Sequence, residues 1–73
     1  MVFEQISKII AEKLDIDPSL IREDSSFMEM QIDSLYMVEI MLMIEETFDI
    51  IVEDASSLET VRDLCTCVEN KLK

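Results

Sequence analysis

Apolar residues recur at intervals of three and four in three stretches of this chain, the spacing of a helix that buries one face. Val2, Phe3, Ile6, Ile9, Ile10 and Leu14 share one stripe, with Glu4, Lys8 and Glu12 facing away, which predicts a helix over Val2–Leu14. A second helix is predicted over Ser34–Phe48. The third opens at Thr60, with Val61, Leu64, Cys65, Val68 and Leu72 as its stripe. Thr60 and Asp63 stand at capping-box spacing, Asp replacing the usual Glu or Gln, and Lys71 and Lys73 suit the negative end of the dipole.

Between the first two helices runs the long connection "DIDPSLIREDSSFMEMQI", in which Asp17-Pro18 signals a turn. Leu20, Ile21, Phe27 and Met30 are its expected anchors on the helices. "FDIIVED" holds a β-branched run with no partner strand elsewhere, and "EDASSLE" has room for one short helical turn anchored by Leu58. The expected fold is all-α: a small four-helix bundle of three main helices and one short one, with a long first loop, forming a single domain over residues 1–73.

The second helix carries more apolar surface than one core face needs. Advancing 100° per residue, Met37, Ile40, Met41, Ile44 and Phe48 fall within an arc roughly 100° wide, a normal core stripe. Leu35, Val38, Glu39, Leu42, Glu45, Glu46 and Asp49 fall on the far side. A merely solvated face would not need three aliphatic side chains. Aliphatics ringed by acids suit a partner with an apolar hollow and a basic rim, whereas the plainer reading packs them under the long loop. Met28, Met30, Met37, Met41 and Met43 read most simply as gap-filling core, deformable enough to part for a flexible apolar chain.

Charge narrows the partners. The net charge is −11, and eleven acids stand between Glu23 and Val61 with no Lys or Arg among them. That excludes nucleic acid, whose phosphates need cations, and favours basic protein surfaces. No apolar run approaches the roughly 18 residues of a membrane span, and "MVFEQISKII" lacks a basic region ahead of an apolar stretch, so a cytoplasmic monomer is expected. With no histidine, neither Ser-His-Asp nor Cys-His catalysis is available, and no enzyme activity is expected. Cys65 and Cys67 alone cannot complete a zinc site and stand too close for an unstrained disulfide; reduced thiols and no metal are expected.

Ser34 begins the second helix, near the positive end of its dipole, where an attached phosphate is favoured. Asp33 before it is itself a good cap. From the residues alone, a plain capping serine is the favoured reading, and an attachment point stays open.

"IDSLYMVEIMLMIEETFDI" resembles the attachment segment of acyl carrier proteins, whose signature is Asp-Ser-Leu followed by an acidic-apolar helix. The likeness extends over nearly the whole chain, through the first amphipathic helix, the "DPSLIREDSSFMEM" loop, the "EETFDI" exit and the "TVRDL" start of the last helix. The resemblance implies that Ser34 accepts 4'-phosphopantetheine from coenzyme A through a separate phosphopantetheinyl transferase. The arm's thiol would then carry acyl groups as thioesters between enzymes of fatty-acid or polyketide-type biosynthesis. It further implies that Asp33 and Leu35 belong to the attachment motif. Leu35, Val38, Glu39, Leu42, Glu45 and Glu46 would dock basic patches on acyl-transferring and chain-elongating enzymes. Where the family usually has Leu-Gly this chain has Met30-Gln31, and Tyr36 and Met43 replace smaller or polar residues, which points towards a specialised pathway. An aminoacyl or peptidyl cargo, or a non-covalent acidic adaptor, are the alternatives.

Overall fold

A computed structural model describes residues 2–52 and 57–72. Three α-helices form, α1 over Val2–Leu14, α2 over Ser34–Phe48 and α3 over Val61–Leu72, with a 3-10 turn at Pro18–Leu20 in the first connection. The expected all-α fold and the limits of α1 and α2 hold, and Thr60 caps α3 rather than opening it. The short helix expected in "EDASSLE" falls largely on residues 53–56, outside the described residues.

α1 packs against both other helices. Its Ile6 and Ile10 meet Ile40 and Ile44 of α2 and Val61, Leu64 and Val68 of α3 in one core, all fully buried. Ile21, Phe27 and Ile32 bring the long connection into that core, with Met30 and Leu58 partly buried against it. Leu20 does not anchor as expected: the 3-10 turn points it outward, leaving it exposed. Leu72, the last residue of α3, is likewise exposed.

The connection is stitched to the start of α3. Ser26 and Thr60 form an antiparallel bridge, in which Phe27 N donates to Glu59 O at 3.0 Å and Val61 N donates to Ser25 O at 3.0 Å. Arg62 N donates to Glu23 O at 2.8 Å, and Asp63 N to Thr60 Oγ1 at 3.2 Å. The first three amides of α3, which a helix cannot satisfy itself, thus all find acceptors. Asp63 completes the capping box, its Oδ2 accepting from Glu59 N at 3.1 Å and Thr60 N at 3.2 Å.

Among the described residues, three helical turns end on a residue in the left-handed region: Asp15 at φ 58°, Gln31 at φ 61° and Asp49 at φ 56°. Each has the amide after it returning to the carbonyl five residues back: Ile16 to Ala11, Ile32 to Phe27 and Ile50 to Glu45. This is the Schellman stop, normally made with glycine, which this chain lacks. Asp tolerates the conformation through local hydrogen bonding; Gln gains no such help.

Gln31→Gly is expected to stabilise the protein by about 0.5–1 kcal/mol, because the left-handed region costs an L-residue roughly 1–2 kcal/mol and glycine's looser unfolded chain returns part of the gain. Ile40→Ala should destabilise by about 2–5 kcal/mol. Urea denaturation midpoints check both. Asp63 is held below its ordinary value of 3.8, chiefly by its bonds from the Glu59 and Thr60 amides. A depressed folded pKa stabilises above the unfolded value and loses that contribution as pH falls through the folded one. The stability gap between wild type and Asp63→Asn is therefore expected at full size above 3.8 and closing below it, read from thermal melts across pH.

Candidate functional site

The turn that ends at Gln31 sets the entry of α2. Ser26 Oγ accepts from Met28 N at 3.2 Å and Glu29 N at 3.4 Å, starting one helical turn, and Gln31 N returns to Met28 O at 3.0 Å to close it. Ile32 is buried beside Phe27, so the chain cannot slip past this point without exposing both. Asp33 follows in extended geometry and is the cap of α2: its Oδ1 accepts from Tyr36 N at 2.9 Å, and its carbonyl accepts from Met37 N at 2.9 Å. Ser34 is therefore the first helical residue, exposed, with no hydrogen bond on its hydroxyl among the described residues. Its hydroxyl stands free at the positive end of the helix dipole.

Below Ser34 lies an open groove of about 930 Å³ between α2 and the two long connections. Phe27, Ile32, Met37, Met41, Val52 and Leu58 supply its apolar lining. Met41 is buried and Met30, Met37 and Met43 partly so, whereas Met28 is 84% exposed and stands at the rim rather than in the core. The apolar chemistry of this wall suits a flexible hydrocarbon better than a charged ligand.

The outer face of α2 is as the helical spacing predicts. Leu35, Val38 and Leu42 are 66%, 56% and 54% exposed, so they do not pack under the connection. Val38 and Leu42 also reach the groove's edge. The acids differ from one another in a way the spacing does not reveal. Glu46 is exposed, with no partner among the described residues. Glu45 is partly buried, and its Oε2 accepts from Val52 N at 2.8 Å, which clamps the groove's far wall. Glu39 pairs with Lys13 of α1 at 2.7 Å. Lys13 escapes a reading of α2 alone, because nothing in α1's own pattern distinguishes it from any charged residue at the helix end.

Cys65 is buried, and desolvation, with the charges of Glu23 and Glu69 adding to it, pushes its thiol up to about 11, so it stays protonated as a small core residue. Cys67 is half-buried. Among the described residues, no group of three or more His, Cys, Asp or Glu is placed to hold a metal ion, and no helix is long and apolar enough to cross a membrane.

The family model described as "Phosphopantetheine attachment site" matches residues 4–68. An acyl carrier protein of Streptococcus thermophilus is 39% identical over 72 residues, covering 99% of this chain and 97% of its own. Those of Streptococcus pneumoniae and a Sulfurovum species are 39% and 36% identical, again over 94% or more of each chain. The chain belongs to the acyl carrier protein family, whose members carry phosphopantetheine and act as carriers, not enzymes.

Glu45→Ala is expected to raise amide exchange at Val52 by about tenfold, the loss of one hydrogen bond to a charged acceptor, while leaving the Ile44 amide protected. Exchange followed residue by residue by NMR checks it.

Proposed function

We propose that Ser34 accepts 4'-phosphopantetheine from coenzyme A and that the loaded arm delivers acyl thioesters between enzymes of fatty-acid or polyketide-type biosynthesis. The observation that carries this reading is the division of labour at the start of α2. Asp33 does the capping, so the neighbouring hydroxyl is spared for modification. In the transfer, Ser34 Oγ bonds to phosphorus, its proton leaves, and the nucleotide portion of coenzyme A departs. A separate transferase supplies the base that this chain, with no histidine, does not hold.

The phosphate so attached would sit at a helix N-terminus, where dipole and free amides favour an anion. The groove beside Ser34 supports shelter of an apolar cargo between visits. Leu35, Val38 and Leu42 would fill a hollow on the visiting enzyme, with the unengaged Glu46 facing its basic rim and Glu39 and Glu45, each already holding a partner within the chain, flanking it. Steering by charge suits brief visits to several enzymes, because it speeds encounter without a large adhesive interface.

Intact mass after incubation with coenzyme A and a transferase of broad specificity tests the attachment. Wild type is expected to gain the mass of one arm and Ser34→Ala none; an unchanged wild type, or equal gain on both, overturns it. Glu46→Lys is expected to slow modification about fivefold or more at low salt, with an unaltered denaturation midpoint. An unchanged rate would remove Glu46 from the docking face.

A further inference from the structure

Among the described residues, α2 contains no cation and one reaches it from outside. Lys13, in the last turn of α1, places its ammonium 2.7 Å from Glu39 Oε2 and 5.7 Å from the centre of the Tyr36 ring. Tyr36 and Glu39 lie three residues apart, on neighbouring turns of the border where α2 meets α1. One side chain therefore occupies the acid nearest that border and also lies against the aromatic ring two residues after Ser34. The pair is partly shielded, with side chains 29% and 40% exposed, so the contact is screened less than an open surface pair.

We propose that Lys13 is a selectivity residue that acts through Glu39. It removes Glu39 from the acids offered to partners and thereby disfavours enzymes that need to place a cation at that end of α2. This rests on α2's outer face being the docking surface. Of the four acids there, Glu39 is taken by Lys13 and Glu45 by the Val52 amide, which leaves Glu46 and Asp49 at the C-terminal end of the helix, with the exposed Leu42 one turn before Glu46. The partner that fits has an apolar hollow and a cation confined to the Glu46 end. A basic strip running the length of the helix would have to displace Lys13, at the expense of the ion pair and the cation–π contact.

The test uses Ser34→Ala protein, so that binding is read without modification, titrated into a transferase of broad specificity at about 0.01 M salt, where charge effects are least screened. Lys13→Met, which keeps the aliphatic stem, is expected to tighten binding about two- to fivefold. Glu39→Gln in the Lys13 background should change affinity by less than about twofold, and in the Lys13→Met background should abolish the gain. Lys8→Met, which removes the same charge from an exposed position elsewhere on α1, is the control for net charge and should leave affinity within about twofold. Equal effects of Lys13→Met and Lys8→Met, or a Lys13→Met gain that survives without Glu39, overturn the proposal. Should Lys13→Met disturb the fold, as read by circular dichroism, Lys13→Gln replaces it. If Glu46→Lys weakens binding while Lys13→Met does nothing, the docking face stands and Lys13's role fails. If neither matters, the docking face fails and the proposal with it. Failure of Ser34 as the attachment point would appear separately, as an absent mass gain.

Discussion

Two backbone hydrogen bonds around Ser26 and Thr60 hold this molecule's two connections to each other, and the groove exists because of them. The helices alone form a core on α1, but nothing in that core fixes the path of the chain between Leu14 and Ser34. The bridge fixes it twice over, by lending acceptors to the first amides of α3 and by bringing Phe27 under α2. An isolated two-residue bridge is weak on its own. Here it is reinforced by three buried side chains, Ile21, Phe27 and Ile32, and by a capping box on its other strand. Backbone satisfaction and apolar burial demand the same path, which is why eighteen or so residues without a full helix hold a defined shape.

The helices were legible from spacing because their stripes are uninterrupted, and α1 and α2 begin and end where the pattern does. Angular counting on α2 alone separated Ile40, Met41 and Ile44 from Leu35, Val38 and Leu42, a division that burial reproduces. The connections were harder. Leu20 and Met28 are as hydrophobic as Ile21 and Phe27, yet the direction of each side chain depends on turns set by Asp17 and Ser26 hydroxyl or carboxylate bonds, which spacing does not encode. The acids of α2 were legible as a face but not as individuals. Whether a glutamate is free depends on what crosses from another element, and Lys13 and the Val52 amide are 26 and seven residues away from Glu39 and Glu45.

This distinction changes how the net charge of −11 is to be understood. It is a long-range field that any basic protein feels, and it sets how quickly partners arrive. On the proposed docking face, the carboxylates that are not already engaged, together with the exposed aliphatics between them, would decide which partner stays. On that proposal, encounter and selection would draw on different parts of one surface, the first on the whole molecule and the second on one face of one helix.

Left-handed helix stops at Asp15, Gln31 and Asp49 in a chain with no glycine also have a consequence for its unfolded state. Glycine at these stops would relieve the folded backbone, but each would also widen the range of conformations open to the denatured chain. With side chains at every position and one proline, the unfolded ensemble is narrower than is usual for a protein of this length. A domain with so small a core has little apolar surface with which to oppose chain entropy, so a reduction in that entropy counts for proportionately more. Asp15, Gln31 and Asp49 thus set local strain in the native turns against lost freedom in the denatured chain.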